Sequence, residues 1–391
     1  MSLHAQTAII GVGQTPFTRG TEASTLELHL QAAREAIADA GLRPADIDGV
    51  MPNELAGTVA EDFILNLGLP ELAFSSTIRT GGASFVSAIQ SAALAIAGGV
   101  AKNVLLVAGR RGYSAQRVSL TSEGAIPPHP VMRHVDEFER PFGNTVASQW
   151  FAQAARRHMH EYGTTSEDFG RIAVAIRGHA NLNPRALMHE KPLSLEQHQS
   201  SPLIADPLRL FDCSLETDGA TAIVLSSTAR ARDGAKPGVS ILGVGEGHGS
   251  PPTSITQKRD MTRIEGLEIA ARRAYAMAGV GPGDIDTAQI YDGFTWVVLA
   301  SLEALGFCGP GEGRDFVADD RIALGGALPL NTSGGLLSEG HCSGANLVSE
   351  AVRQLRREVE PERQVPDCEC VLVSGEGDFH EGAALVLGRT P

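Results

Sequence analysis

The chain has 391 residues, 42% hydrophobic and only 5% aromatic, with 44 glycines and a formal charge of −14. That length suggests two domains or one duplicated unit with material for a sizeable core. The acidic balance, with few lysines and no basic run, sets nucleic-acid binding aside.

The amino terminus has no positively charged n-region, and no apolar segment reaches the roughly 18 residues of a membrane span. Cys213, Cys308, Cys342, Cys368 and Cys370 form neither a disulfide framework nor a paired CxxC zinc signature. The expectation is a soluble cytoplasmic protein with no membrane span and no bound metal.

In chain order, Ala8 to Gln14 (AIIGVGQ) reads as a short apolar strand ending in Gly, and it recurs as SILGVGE from Ser240 to Glu246. The first copy is followed by AREAIADAGLRPADID, Ala33 to Asp48, and the second by ARRAYAMAGVGPGDID, Ala271 to Asp286; ten of the sixteen positions are identical. Each copy reads as an Ala-rich helix closed by Gly, then a Pro/Asp turn. A strand follows at Gly49 to Met51 in the first half and at Thr287 to Tyr291 in the second.

Each half then continues with a Gly-rich loop, a helix and an apolar strand. These are Thr80 to Ser84, Phe85 to Ala97 and Asn103 to Ala108, and later Thr332 to Ser343, Gly344 to Arg357 and Cys370 to Ser374. Alternating strands and helices imply an α/β fold with mostly parallel sheets. The duplication implies two pseudo-twofold-related halves, 1–230 and 237–391, with active-site loops meeting at the join. Residues 111–206, rich in Pro, His and Arg, read as an inserted loop subdomain covering it.

The repeat, Pro207 to Ser227 (PLRLFDCSLETDGATAIVLSS) and Asn331 to Ala345 (NTSGGLLSEGHCSGA) resemble the thiolase superfamily over nearly the whole chain. The branch most like it is that of the sterol-carrier and lipid-transfer-protein type thiolases. The resemblance implies a layered α-β-α-β-α fold. It also implies a nucleophilic cysteine at a helix N-terminus and a second, proton-shuttling cysteine. Here the first position falls at Gly82, within Arg79 to Ser84, and the second in the loop Val373 to Gly377; neither holds a cysteine. Cys368 and Cys370 read as small core residues. Ser84 reads as an N-cap rather than a substitute nucleophile.

Two motif residues survive the comparison. Tyr291, in Tyr-Asp-Gly-Phe, occupies the place of the family's Asn- or His-led motif, and His341 matches the family's Gly-His pair. At a helix N-terminus His341 is expected to stay neutral. The resemblance implies handling of an acyl-CoA thioester without an acyl-enzyme: retro-aldol cleavage of a β-hydroxyacyl-CoA, as in the cysteine-less steroid side-chain aldolases. Tyr291 is then the base on the β-hydroxyl, and His341 with the Gly81 and Gly82 amides surrounds the thioester oxygen. Ser84, Gly375 and His380 complete the candidate substrate site, and Gly82 is expected to open space for a bulky β-carbon. Those aldolases carry a tyrosine where this chain has His341.

Other designs are set aside. The four lysines, Lys102, Lys191, Lys236 and Lys258, lie outside the motif loops, and His158 and His160 face different sides of a helix. The Gly-Val-Gly turns lack the third glycine of a dinucleotide fingerprint. Two alternatives stay open: an acyltransferase or condensing enzyme of the thiolase type, and a non-catalytic subunit. Coenzyme A enters only as part of the substrate. A homodimer and a separate zinc-ribbon/OB-fold protein are the partners the resemblance implies.

Overall fold

The computed structural model describes residues 3–53, 57–115, 133–234, 236–250, 255–377 and 381–390. The first half runs β1 (Thr7–Gln14), α1 (Thr25–Asp39), β2 (Gly49–Pro52), α2 (Ala60–Leu67), β3 (Phe74–Ser75), α3 (Ser84–Ala97) and β4 (Asn103–Arg111). The inserted stretch carries α4 (Arg133–Phe138), α5 (Ala147–Tyr162), α6 (Ser166–Asn181) and α7 (Leu195–Ser200). A small hairpin, β5 (Leu203–Ala205) and β6 (Leu208–Arg209), follows them. The chain returns to the main sheet as β7 (Asp218–Ser227), followed by α8 (Thr228–Arg232). The second half is β8 (Val239–Gly247), α9 (Glu265–Ala278), β9 (Thr287–Gln289), α10 (Thr295–Ala304), α11 (Gly313–Phe316), α12 (Ala345–Arg356), β10 (Cys370–Glu376) and β11 (Gly382–Arg389).

The strand order β3-β2-β4-β7-β1-β8-β11-β10-β9 makes the duplication visible. The two repeated strands, β1 and β8, pair with each other at the centre, Ala8 opposite Ser240 and Ile9 opposite Val239. Outward from them β7 matches β11, β4 matches β10 and β2 matches β9. Beyond β9, Ala288 bridges to Leu330 in parallel, as β2 pairs with β3 on the other side.

The expectation of mostly parallel sheets is corrected. Between the strands described, pairing is parallel for β2–β3, β2–β4 and β9–β10, and the other five strand pairings of this sheet are antiparallel. The reason is connectivity. β11 follows β10 across only five residues, too short for a crossover, so it must run back. β7 enters between β4 and β1 after the inserted stretch and runs opposite to both.

The elements stack in five layers. α3 and α12 lie in the middle, where Phe85, Ile89, Leu347 and Val352 meet Ile9, Leu106, Val373 and Leu385 from both halves of the sheet. α1 and α2 cover the outer face of the first half, against Ile10, Leu105 and Val107. α9 and α10 cover the outer face of the second, with α5 and α6 packed beside them. Strand β4 is therefore buried on both faces, which is why it reads as an unbroken apolar run.

The repeat motifs act in this packing. A Cβ at Gly11 would lie 2.1 Å from the Ala36 carbonyl oxygen, and one at Gly13 would lie 2.2 Å from that of Ala32. The second copy behaves the same way, with Gly243 at 2.1 Å from the Ala274 oxygen and Gly245 at 2.4 Å from that of Ala270. Glycine on the strand and alanine on the helix let the two backbones touch. The terminal Asp of each repeat fastens the next strand. Asp48 accepts from the Lys102 and Asn103 amides, and Asp286 from those of Glu369 and Cys370, all within 2.8–3.0 Å.

Candidate active site

Tyr291 sits just past the end of β9, two residues beyond the expected strand's true limit at Gln289. The Asn331 side chain holds the preceding residue, accepting from Ile290 N at 2.7 Å and donating to its carbonyl at 2.8 Å. The Tyr291 amide itself faces Ser374 Oγ of β10 at 3.3 Å. Its ring then enters a slot walled by glycines. A Cβ at Gly82 would lie 2.3 Å from Tyr291 Cζ, one at Gly293 3.0 Å from Cε1, and one at Gly344 3.2 Å from Cδ2. The expectation that Gly82 opens space for substrate is corrected: the Tyr291 ring fills the volume that a side chain at 82 would take.

His341 completes the join. Its Nε2 lies 3.3 Å from the Tyr291 hydroxyl, and its Nδ1 accepts from an Arg110 Nη2 donor at 2.7 Å. The Ser214 hydroxyl is 3.4 Å from the same Nδ1, and the His341 amide donates to Thr217 Oγ1 at 2.9 Å. Burial, with the Arg110 charge adding to it, holds the imidazole well below its ordinary pKa, so it is neutral. The cause differs from the expected one. His341 precedes the first residue of α12 by four positions, across the left-handed pair Ser343 and Gly344, so desolvation acts in place of the helix dipole.

The loop carrying His341 is fixed by two buried carboxyls. Asp292 accepts from the Leu336 and Leu337 amides at 2.8 and 3.1 Å, and burial pushes it up to about 7 against these bonds. Glu339 accepts from Gln14 Nε2 at 3.0 Å, Ser333 Oγ at 2.7 Å and Asn346 Nδ2 at 2.9 Å. From the inserted stretch, the Leu187 and Met188 amides donate to the Glu339 and Ser338 carbonyls, and Arg177 Nε donates to Ser338 Oγ at 2.8 Å. The insertion thus braces the loop that carries His341.

Of the other expected residues, Gly81, Gly82, Ser84 and Gly375 gather at the turn beside Tyr291. Gly81 and Gly82 form the first turn before α3, where the leading N–H groups have no partner within the helix. Gly375 abuts this turn: a Cβ there would lie 2.7 Å from Ala83 Cα. The Ser84 hydroxyl accepts from the Thr80 amide at 2.9 Å and donates to the Gly81 carbonyl at 2.7 Å, so it shapes the turn. His380 lies outside the described residues. Cys342, next to His341, is buried with its thiol pushed up to about 12, its Sγ 2.9 Å from the Ala108 carbonyl.

Sequence reasoning missed Arg110, Ser214, Thr217 and Asp292. Asp292 lay inside the Tyr-Asp-Gly-Phe motif, and Ser214 and Thr217 inside the 207–227 motif. Arg110 carried one weak signal, a charged pair closing an apolar strand.

A family model described as thiolase C-terminal domain-like matches residues 247–389. The chain is 42% identical to the steroid side-chain-cleaving aldolase of Thermomonospora curvata, over 89% of this chain and 90% of that protein. It belongs to the thiolase superfamily. This thiolase-superfamily chain is also 40% identical to the 17-hydroxy-3-oxo-4-pregnene-20-carboxyl-CoA lyase of Mycobacterium tuberculosis, over 99% of this chain and 100% of that one. The solved Ltp2-ChsH2(DUF35) aldolase superposes with a TM-score of 0.92 at 38% identity, covering 100% of this chain and 99% of its counterpart. Among the described residues of this superfamily member, no helix is long and apolar enough to cross a membrane.

Proposed function

We propose that the chain cleaves a β-hydroxyacyl-CoA thioester by a retro-aldol reaction, giving a carbonyl compound and a shorter acyl-CoA. The observation that carries this reading is the Tyr291 ring in the place of a side chain at 82, with its hydroxyl 3.3 Å from a neutral imidazole. The acyl-accepting position of a thiolase is then closed, and a phenol oxygen stands beside it.

Tyr291 removes the β-hydroxyl proton, the oxygen's electrons form the new C=O bond, and the Cα–Cβ pair passes to the thioester as an enolate. The Gly81 and Gly82 amides face the thioester oxygen and stabilise its charge. A proton returned to Cα completes the balance, with no external oxidant or metal. His341 supports the Tyr291 oxygen, and Gly375 shapes the wall of the same site. A steroid side chain is the acyl group that the named relatives suggest.

Coenzyme A is part of the substrate in this reading, and the protein is cytoplasmic and homodimeric. A separate zinc-ribbon/OB-fold protein is its partner, as the Ltp2-ChsH2(DUF35) aldolase joins two named components. The test is product analysis on β-hydroxyacyl-CoA esters, with the chain alone and co-expressed with such a partner. A ketone or aldehyde formed by wild type and reduced at least about 100-fold in Tyr291→Phe is the expected result. Acyl exchange without any carbonyl product would point to an acyltransferase. Acyl-CoA binding without turnover would point to a non-catalytic subunit.

A further inference from the structure

We propose that Arg110 is a positioning residue that fixes the tautomer of His341 and so aims an imidazole N–H at the Tyr291 oxygen. The kinetic consequence rests on the retro-aldol reading; the tautomer itself does not.

A guanidinium has only donors, and it approaches His341 Nδ1 to 2.7 Å. Nδ1 must therefore present its lone pair. A neutral imidazole carries one ring proton, so that proton resides on Nε2, the atom 3.3 Å from the Tyr291 hydroxyl. His341 is then a donor to Tyr291 and cannot take its proton. The phenol oxygen accepts, and its own proton is left to point towards the substrate or to leave.

The fold maintains this contact at some cost. Arg110 stands on the inner face of β4, opposite Gly219 of β7, at the end of the apolar run Val104 to Ala108. Its Nε is buried and has no hydrogen-bond acceptor among the described residues. Gly112 leaves it room, since a Cβ there would lie 2.9 Å from that Nε. Orienting one guanidinium N–H onto one imidazole nitrogen is what the arrangement achieves.

The consequence is electrostatic. A donated N–H and a nearby fixed cation both favour the phenolate form of tyrosine, which the base must adopt. Among the described residues, Cys342 beside His341 turns its thiol to the Ala108 carbonyl, Asp292 turns to the Leu336 and Leu337 amides, and Glu376 is buried with its main-chain oxygen towards Gly82.

Two measurements test the proposal. Nitrogen-15 imidazole NMR of the full chain, with His341 assigned through His341→Gln, reads the tautomer without any turnover. Wild type is expected to show the proton on Nε2, and Arg110→Met a mixture or the Nδ1–H form. In the pH profile, Arg110→Met is expected to move the acid limb up by about one pH unit. It should also lower kcat about tenfold near neutrality and leave KM within about threefold.

A wild-type proton on Nδ1 overturns the proposal even if Arg110→Met does not fold. An unchanged tautomer in a folded Arg110→Met protein, or an unmoved pH profile, overturns it too. Absence of carbonyl product from wild type sinks the retro-aldol reading instead, and the NMR result then stands by itself.

Discussion

A Cβ at position 82 would lie 2.3 Å from Tyr291 Cζ and 2.4 Å from the Glu376 carbonyl oxygen, so two separate neighbours enforce the glycine. Gly82→Ala is expected to cost about 1–3 kcal/mol in denaturant unfolding, the range for overpacking a filled site. Tyr291→Ala in the same chain removes only one of the two clashes. The double variant should therefore depart from additivity by at least about 0.5 kcal/mol while staying below wild type; strictly additive costs would show that the two positions do not share one space. By the same geometry, Gly82→Cys creates a strained thiol rather than a thiolase. Asp292 offers a second residue-scale test. Its carboxyl accepts two amides at once, and an Asn there turns an NH2 group towards one of them. Asp292→Asn is expected to lose about 1–3 kcal/mol and to lower activity with little change in fold, checked by unfolding and circular dichroism.

Close approach of helix to strand recurs at the element scale. Gly11 and Gly243 each hold a helix carbonyl 2.1 Å from where a Cβ would be, and backbone cannot swing aside as a side-chain tip does. Gly11→Ala should cost at least about 3 kcal/mol, at or beyond the usual overpacking range. Gly178, inside α6, has nothing within 4 Å of its virtual Cβ. Gly178→Ala is expected to stabilise by about 0.5–1 kcal/mol, because helix propensity is then the only effect left. A pair of melting curves decides this, and equal signs for the two substitutions would defeat the argument. Helix α12 makes the complementary point. Its sequence alternates Asn346, Glu350, Arg353 and Arg356 with apolar residues, a pattern ordinarily read as a surface helix, yet every residue is buried. Partners answer each charge: Glu350 accepts from Arg363 at 2.5 Å and Thr332 at 2.6 Å, Arg353 donates to the Gln14 amide oxygen at 3.0 Å, and Arg356 donates to Asp39 at 2.7 Å.

At the scale of the whole molecule, the pseudo-twofold join brings Arg110 and Gly82 from the first half against Tyr291 and His341 from the second. Neither half holds a complete site. Several buried histidines tie overall stability to pH. Burial lowers His29 and His179 to about 4, and it lowers His341 in the same direction. A histidine with a depressed folded pKa contributes fully above its unfolded value near 6.5 and loses that contribution as pH falls towards 4. At pH 5 His29 alone should then weaken folding by about 2 kcal/mol. The Tm of wild type is expected to drop between pH 7 and 5 by more than that of His29→Gln. Asp292 acts oppositely: its raised carboxyl makes folding less favourable as pH climbs from about 4 through 7, so it cannot produce the acid loss. Parallel Tm profiles for the two proteins would remove His29 from the account.

The duplication and the α/β class were legible in the sequence, because each depends on local pattern: a repeated string, a period. Tyr291 and His341 were singled out by their neighbours in the chain, and the fold brings them within 3.3 Å of each other. Strand direction was not legible, since β7 and β11 gain their antiparallel partners only when the return path of the chain is fixed. Burial of α12 depended on polar partners scattered from Asp39 to Arg363. The role of position 82 depended on a ring more than two hundred residues away, and the His341 tautomer on an arginine across the join. Local chemistry chose the residues, but which atoms share a space and which nitrogen carries a proton were decided by contacts between segments that the chain keeps far apart.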